Sequence, residues 1–585
     1  MISSSRFHGY KLGHFQKDLV AGLVVGIVAI PLAMAFAIAS GVRPEYGLYT
    51  SIIAGIMVSL FGGSKYQIAG PTGAFVPVLL GVVIQFGYEK LLIAGFLAGI
   101  MIFLMGVFKL GRYIKFIPRP VTIGFTAGIA VIIFSGQIAN FLGLRDLERE
   151  EAFLLNMREI ALNLNTVNIY SVFVAIISLA IVLLSPRFLP KIPGALLALV
   201  ISTLAAVLFF PNQVATIGST YGAIPNELPN FAFPEITGSL VIELLPAALV
   251  IAMLGGIESL LSALVADGMT KGKHNSNKEL IGQGLANMVA PLFGGIPATG
   301  AIARTATNIK NGAASPLSGV IHGVVVLLVL VILAPYASAI PLASMAPILM
   351  FVAWNMSERK EFANILKTKT MDSLVLVVTF LLTVFMDLTT GVGIGLLLAL
   401  LAFVGRMSST VKVSKVLPDP TDKIVKPEMV LEGSNCPQIN IYTVEGPLFF
   451  GSTERLEEEL ESIARSKPRI LLLRMSKVSF IDTSGEALLA NIVKQFKASH
   501  QQVIISGIQQ QPKELFEKTG LYELIGKEHI FTRTGHAIDK ALSHLDVDRC
   551  KGCKQFSFNE CTALSQQASK PAVFKQKRKQ EPGLI

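Results

Sequence analysis

The chain has 585 residues, of which 52% are hydrophobic and only 15% are charged, and its mean hydropathy is +0.60. These values exclude a water-soluble globular protein and indicate a chain with many membrane spans. The net charge is +11. Its basic residues lie in the loops between apolar runs and in a C-terminal tail, which is a signal of membrane orientation and gives no indication of nucleic-acid binding.

The apolar runs, taken in chain order, predict a polytopic α-helical membrane protein with fourteen transmembrane segments, several of them short or interrupted. They lie near 19–41, 48–62, 68–84, 91–108, 120–142, 169–185, 193–210, 241–266, 279–293, 299–310, 314–335, 343–356, 371–387 and 390–406. Residues 1–18 would be a cytosolic N-terminus, and residues 19–410 the transmembrane domain.

The loop charges predict the orientation of these spans. Loops after even-numbered spans are rich in Lys and Arg, whereas the odd-side loop 143–168 is rich in acids and the odd-side loop 211–243 has three glutamates and no Lys or Arg. Positive residues mark the cytoplasmic side, so we expect a multi-pass protein of the cytoplasmic membrane with both termini in the cytoplasm. An odd number of spans would instead place the C-terminal domain outside.

Two apolar segments break like loops at corresponding places in the two halves of the chain. They are 67–75 and 294–308, and both contain Thr-Gly-Ala, at 72–74 and at 299–301. Proline and glycine are tolerated at membrane depth where the backbone lines a cavity or is covered by protein. Two interrupted spans in this arrangement predict the binding site of a transporter.

The chemistry of the two segments favours an anion. Helices beginning near Gly73 and Gly300 would each offer unpaired N–H groups and a positive dipole end. Thr72 or Thr299 can add a hydroxyl donor, and Arg304 can supply a fixed positive charge. Alternatively, Arg304 only marks the cytoplasmic edge by snorkelling. The predicted substrate-binding residues are Thr72, Gly73, Ala74, Phe75, Gly300, Ala301, Ile302 and Arg304.

Glu258 is an acidic residue in the middle of the apolar run 244–265. An unpaired carboxylate in such a place binds a proton more readily than it stays charged. This makes Glu258 a candidate for proton coupling, and Ser262, at i+4, would share its helix face. The alternative is a structural ion pair or hydrogen bond to a neighbouring helix.

After the last span the pattern changes to a soluble α/β domain. Residues 411–437 are expected to be a polar linker and 438–545 the folded domain. Alternating strands and helices predict a small sheet covered by helices. Strands are expected at 439–444, 469–474 and 502–506, and helices at 453–465, 479–497 and 512–519.

Several motifs together resemble the SulP family of anion transporters, the bacterial relatives of the solute carrier 26 proteins, over nearly all of residues 10–545. They are Pro44–Tyr49, Gly70–Gly73, Ile257–Ser262, His274–Leu280 and the segment 294–308. The turn Asp482–Gly485 resembles the strand-to-helix turn of a STAS domain.

The resemblance implies a seven-plus-seven inverted repeat in which a core domain moves against a gate domain, with the substrate between the broken third and tenth spans. It also implies a homodimer, which the sequence itself does not show. The expected function is secondary active transport of a small anion, with sulfate as the default substrate. C4-dicarboxylates and bicarbonate are carried by similar proteins.

In that family an acid at the place of Glu258 is associated with H⁺ or Na⁺ coupling. The sodium-coupled bicarbonate transporters have a Thr where this chain has Ile302, so we expect H⁺. Two other functions stay open: an uncoupled anion channel, and a sensor that signals to a cytosolic partner through the STAS domain. No catalytic constellation and no nucleotide loop is present in the sequence, so we expect neither an enzyme nor a cofactor.

Two further features of the soluble part suggest a modification site and a metal site, each with an alternative. Thr483 follows Asp482, at the position that is phosphorylated in related anti-sigma-factor antagonists; the alternative is a simple helix cap. In the tail, 546–585, Cys550, Cys553 and Cys561 with His544 have the residue types of a metal site. We interpret them instead as reduced thiols without metal. The last basic residues would contact anionic lipid; they are Lys570, Lys575, Lys577, Arg578 and Lys579.

Overall fold

A computed structural model of the chain describes residues 10–113, 117–145, 147, 150, 152–189, 192–226, 230–270, 272–419, 425–430, 435–454, 456–459 and 468–566. The basic residues of the predicted lipid-contacting tail lie outside these ranges. The chain divides into two compact units, Met1–Ala399 and Leu400–Ile585.

The first unit is helical, and a helix lies at each predicted span. The helices are α1 Leu12–Ala39, α2 Pro44–Phe61, α3 Val76–Phe86, α4 Tyr88–Val107, α5 Arg119–Gly136, α6 Ile138–Leu142, α7 Phe153–Leu162, α8 Ile169–Phe188, α9 Gly194–Phe209, α10 Ile217–Tyr221, α11 Gly238–Thr270, α12 Ser276–Val289, α13 Ile302–Lys310, α14 Leu317–Ala337, α15 Leu342–Met356, α16 Arg359–Lys367, α17 Met371–Phe385 and α18 Leu388–Ser409. Within the described residues, seven helices are long and apolar enough to cross a membrane. The number of crossings stays a prediction.

The helices of this unit pack as two groups. In the first group α12 lies on α4 and α2, α14 lies on α1 and α2, and α11 lies on α4 and α13. In the second group α17 lies on α5, and α15 lies on α8 and α5. Fewer contacts join the groups, mainly those of α1 with α15 and α9. These two groups are what a core domain and a gate domain require.

Small residues allow close helix packing inside the first group. A Cβ added to Gly99 of α4 would lie 2.6 Å from the backbone nitrogen of Met288 in α12, and Gly284 approaches Phe103 in the same way. Without a hydrophobic driving force between helices in lipid, close backbone approach of this kind stabilises their association.

The two Thr-Gly-Ala segments form a two-stranded antiparallel pair. Strand β1 is Ala69–Gly70 and strand β2 is Thr299–Gly300, with Ala69 opposite Gly300. A 3₁₀ turn begins at Gly73 and leads into α3, as expected. The prediction of a helix start at Gly300 was wrong, because this residue belongs to β2 and α13 begins at Ile302.

The second unit contains a five-stranded sheet in the order β3-β6-β7-β8-β9. Strand β3 is antiparallel to β6, and the others run parallel to one another. Its strands are β3 Lys412–Lys415, β6 Ile439–Glu445, β7 Ile470–Lys477, β8 Gln502–Ser506 and β9 Ile530–Phe531. A separate two-stranded pair is formed by β4 Leu417–Pro418 and β5 Val425–Lys426.

Both faces of the sheet are covered, as predicted for an α/β domain. Leu471 and Leu473 of β7 pack in one apolar cluster with residues of the helices Thr483–Ala498 and Gln510–Thr519. Ile470 and Leu472 pack in another, with residues of the helix Thr534–Ser543. Burial on both faces explains why this strand is a continuous apolar run.

Two predictions in this unit need comment. Residues 411–437 are not simply a linker, because β3 from this segment pairs with β6 along the edge of the sheet. The polar composition fits an edge strand, whose outer face and edge are open to water. Of the helix predicted over 453–465, residues 453–454 and 456–459 are helical, and position 455 and the last part lie outside the described residues.

The motif His274–Leu280 joins two parts of the first group. Glu279 of α12 is fully buried, and its Oε2 accepts hydrogen bonds from the backbone N–H groups of Gly63 (2.8 Å) and Ser64 (2.9 Å) after α2. Its Oε1 accepts from Gln283 at 3.1 Å. A buried carboxylate with several donors is satisfied without a cation.

We expect Glu279→Ala to lower the apparent melting temperature of the detergent-purified protein by several degrees, because two buried backbone N–H groups lose their acceptor at about 1–3 kcal/mol each. The matched control is Glu243→Ala, which removes a partly exposed ion pair with Lys90 worth about 0–1 kcal/mol. Equal melting temperatures for both variants would contradict this role of Glu279.

Candidate functional site

The strand pair sets two helix beginnings beside each other. In an antiparallel pair the chains leave in opposite directions, so the turn at Gly73 and the start of α13 diverge from a common centre. The pairing continues beyond the strands, since the Ala301 N–H donates to the Ile68 carbonyl at 2.8 Å. The first N–H groups of each helix have no partner within it and carry the positive end of the helix dipole. The two segments therefore meet as predicted.

The surroundings of the two helix beginnings differ. At the α13 start, Ile302 is 38% exposed. At the other, a Cβ added to Gly73 would meet Phe36 of α1, Ile133 of α5 and Met356 of α15 at 3.1–3.3 Å. The Gly73 backbone is thus buried against apolar side chains from both helix groups, and any larger residue there would have to displace them.

The side chain of Arg304, predicted to supply a fixed positive charge to the site, does not point toward open space. Its side chain is 2% exposed, and its Nη2 donates to the Pro71 carbonyl at 3.0 Å, while Nη1 reaches Ser51 Oγ at 3.5 Å. Burial also rules out the alternative of snorkelling to the membrane edge. Its guanidinium lies behind the backbone of Gly70 and Pro71, so Arg304 positions this segment and adds positive charge from behind it.

Two other predicted contacts lie in the core. Phe75 is fully buried, with its ring against Gly255 of α11, and Ala74 is 1% exposed. The Phe75 side chain is therefore not exposed to a substrate in this conformation, and a role of Phe75 in substrate binding stays a prediction. Ala74 and Phe75 belong to the turn that begins at Gly73. In the folded chain their side chains pack against neighbouring helices.

Glu258 contacts the first segment directly. The Thr72 hydroxyl donates to Glu258 Oε2 at 3.0 Å, which joins α11 to the residue before the Gly73 turn. Of the two alternatives for Glu258, the hydrogen bond to a neighbouring segment is present. This contact leaves a coupling role open, because Thr72 precedes the proposed anion-binding turn by one residue.

Ser262, predicted to share a helix face with Glu258, bonds to α13. Its hydroxyl donates to Thr305 Oγ1 at 3.3 Å, and the same oxygen accepts from the Ile68 N–H at 3.1 Å. Ser262 therefore supports the strand pair through Thr305 of α13. Spacing of four residues places two side chains on one helix face, but it does not make them contact each other.

Sequence reasoning missed the residues that hold the strand pair. Ser259 Oγ accepts from the Gly300 N–H at 3.1 Å and lies 2.7 Å from Thr299 Oγ1. Gln67 Nε2 donates to the Ser259 carbonyl at 3.0 Å. Because the Thr299 hydroxyl also bonds to the Gly255 carbonyl at 3.2 Å, it is not free for a ligand. The signal was present, since Ser259 lies beside Glu258 in a helix that faces the broken segment.

In the second unit, Asp482 caps the helix Thr483–Ala498. Its Oδ1 accepts from the Gly485 N–H and its Oδ2 from the Phe450 N–H, both at 2.9 Å. The helix-cap interpretation is confirmed for Asp482. Thr483 is exposed at the first position of this helix, and its phosphorylation stays a prediction.

Three of the four candidate metal residues of the tail lie together. Cys550, Cys553 and Cys561 line one small cavity, but His544 is not among its lining residues. The His544 Nδ1 atom instead lies 3.0 Å from both the Lys540 carbonyl and Ser543 Oγ.

Comparison with known proteins agrees with this architecture. Residues 15–379 match the sulfate permease family, and residues 434–537 match the STAS domain. This chain belongs to the sulfate permease family. It is thus a polytopic helical membrane transporter with a C-terminal STAS domain, and it is not an enzyme.

Individual relatives support the same assignment. The Bacillus subtilis protein named "Putative sulfate transporter YvdB" is 61% identical over 531 residues, which are 91% of this chain and 98% of that protein. The solved transmembrane domain of a cyanobacterial bicarbonate transporter, BicA, is 30% identical with a TM-score of 0.60, over 66% of this chain and 98% of that structure. Murine solute carrier 26 family member A9 in the inward-facing state is 20% identical with a TM-score of 0.82, over 92% and 93% of the two chains, which shows the shared fold.

Gly70→Ala should displace Arg304, because the new Cβ would stand in hard contact with its Nη1 atom. We expect a lower melting temperature and a smaller rise in that temperature on addition of sulfate than in the wild type. Gly136→Ala is the control, since nothing lies within 4 Å of a Cβ at that position. A Gly70→Ala protein that melts and responds to sulfate like Gly136→Ala would show that the placement of Arg304 is unimportant.

Proposed function

We propose that the protein is a secondary active transporter that carries a small anion, by default sulfate, across the cytoplasmic membrane together with H⁺. The anion would bind between the turn at Gly73 and the beginning of α13. The observation that carries this proposal is the antiparallel pairing of Ala69–Gly70 with Thr299–Gly300, which brings two helix N-termini together. Such paired half-helix starts bind anionic groups of substrates in transporters.

Backbone donors would carry most of the binding. Thr72, Gly73 and Ala74 offer one helix start, and Gly300, Ala301 and Ile302 the other, although the Gly300 and Ala301 N–H groups already have partners within the protein. The N–H donors that remain for an anion are those in the first turns of the two helices. Arg304 would act through its positive charge and its hydrogen bond to the Pro71 carbonyl, rather than through direct contact with the anion.

The names of the relatives support an oxyanion substrate but do not choose between sulfate and bicarbonate. YvdB is named for sulfate, at 61% identity, whereas BicA is named for bicarbonate, at 30% identity. The higher identity, spread over most of both chains, favours sulfate. Bicarbonate and C4-dicarboxylates are the alternative substrates, and Na⁺ is the alternative coupling ion.

Movement of one helix group against the other would release the anion. The apolar neighbours of Gly73 come from α5 and α15 of the second group as well as from α1. Access to the site would change as these groups slide, because both helix starts and Glu258 belong to the first group and would move together. We further propose a homodimer with both termini in the cytoplasm, as the loop charges and the family resemblance predict.

Glu258 would couple this movement to H⁺. A carboxyl group 3.0 Å from the Thr72 hydroxyl would repel an anion at Gly73 when it is charged, and would cease to do so when protonated. Anion and proton would therefore enter the site together.

Glu258→Gln keeps the shape of the protonated side chain but cannot release the proton. We expect the stimulation of sulfate uptake into proteoliposomes by an inward H⁺ gradient to fall by tenfold or more. Exchange of internal for external sulfate should persist. Glu243→Gln, a partly exposed acid of α11, is the control and should keep the stimulation. Unchanged gradient-driven uptake in Glu258→Gln would refute the coupling role.

The substrate and the class of transport can be tested in the wild type. Proteoliposomes are given sulfate, bicarbonate, fumarate or succinate, each with an H⁺ gradient, a Na⁺ gradient or none. We expect concentrative sulfate uptake with H⁺ alone. Uptake that only dissipates the anion gradient under all conditions would indicate a channel, and the absence of uptake for every anion would favour a sensor acting through the STAS domain.

A further inference from the structure

Four cysteines of the second unit surround a single small cavity. Three come from the C-terminal segment, and the fourth, Cys436, comes from the segment just before β6, more than a hundred positions earlier in the chain. These are all the cysteines of the protein. Cys436 and Cys561 also belong to the apolar cluster on one face of the sheet, but neither transport nor that cluster accounts for the position of Cys550 and Cys553 at the same cavity.

The fold brings Cys436 to the tail through specific contacts. Gln438 and Asp546 exchange two hydrogen bonds: the Gln438 Nε2 donates to the Asp546 carbonyl at 2.9 Å, and the Asp546 N–H donates to Gln438 Oε1 at 3.0 Å. The same Nε2 lies 3.4 Å from Cys550 Sγ. The Asn435 N–H donates to Gln555 Oε1 at 2.8 Å. The tail is thus fixed against the entry to the first parallel strand.

The local backbone presents the first two tail thiols together. Cys550-Lys-Gly-Cys553 forms a turn in which the Cys553 N–H donates to the Cys550 carbonyl at 3.1 Å. Gly552 has φ +73°, a left-handed conformation that favours glycine. Turns of two cysteines separated by two residues supply a pair of ligands to tetrahedral zinc sites. The third tail thiol, Cys561, begins a short helix.

The cavity has the size and the lining of an ion site rather than of a pocket for an organic ligand. Its volume is about 20 Å³, close to that of a single water-sized sphere. All four thiols line this one cavity.

We propose that Cys436, Cys550, Cys553 and Cys561 bind one Zn²⁺ ion in a closed, structural site. Four thiolates satisfy a tetrahedral zinc ion and leave no open position for catalysis. Among the described residues, no group of three or more His, Cys, Asp or Glu side chains is already arranged to hold a metal, so zinc binding would require the thiols to move closer together. Zinc would clamp the C-terminal segment to the beginning of β6, which replaces our earlier interpretation of the tail cysteines as metal-free thiols.

The site is tested on the full chain, purified in detergent under reducing conditions without chelator. Elemental analysis should find about one zinc per chain, and a mercurial reagent that titrates thiols should release it to a colorimetric zinc indicator. Replacement of zinc by Co²⁺ should give the intense thiolate-to-cobalt absorption of a four-sulfur tetrahedral site. These measurements on the wild type do not depend on whether a variant folds.

Variants distinguish the four-cysteine site from its alternatives. Cys436→Ser and Cys553→Ser should each lose most of the zinc, whereas His544→Ala, beside the cavity but not lining it, should keep it. Zinc in the wild type no higher than in Cys553→Ser would overturn the proposal. So would iron with a visible absorption band, which indicates an iron–sulfur cluster, or a disulfide between Cys550 and Cys553 in anaerobically prepared protein.

Discussion

The proposed site in the first unit depends on one short strand pair, in which Ala69–Gly70 pairs with Thr299–Gly300. Two isolated strands of this length are not stable by themselves, so side chains from the surrounding helices hold them. Ser259 accepts from the Gly300 N–H, and Asn287 bonds to both the N–H and the carbonyl of Ala298, each at 2.8 Å. Arg304 holds the Pro71 carbonyl on the other segment. Backbone groups that leave helical structure inside a membrane protein must all be satisfied in this way.

This support has a mechanical consequence. The residues that brace the pair lie on α11, α12 and α13, all in the first helix group. A change in the distance between the two helix beginnings would break several buried hydrogen bonds at once, each costly to leave unmade. Relative sliding of the two groups breaks none of them. The proposed site therefore lies in the first helix group, which would move as a unit. Motion at its interface with α5 and α15 costs the least free energy.

The sequence was sufficient for the positions of the helices, the α/β character of the second unit and the meeting of the two Thr-Gly-Ala segments, because hydropathy and glycine-rich breaks are local signals. It was insufficient for the direction of side chains. Phe75 and Arg304 are close in sequence to the helix beginnings but are buried away from open space, and Ser262 turns to Thr305 rather than to Glu258. Which neighbour a side chain meets depends on contacts over 200 residues apart in the chain, such as that between Arg304 and Pro71. No local pattern contains that information. The convergence of Cys436 with the tail cysteines is of the same kind.

The buried charges explain why binding of an anion and binding of a proton would depend on each other. Arg304 bonds to the Pro71 carbonyl, and Glu258 bonds to the hydroxyl of Thr72, the next residue. The two charged groups thus act on consecutive residues at the edge of the same turn. When both are charged they compensate each other, and an anion would gain little. Once Glu258 is neutral, the guanidinium and the two helix beginnings are left with uncompensated positive charge, which is costly in a low-dielectric region until an anion binds. Under this scheme, the balance of charge around residues 71–73 favours the state in which anion and proton are both bound. The backbone donors would then determine which oxyanion binds.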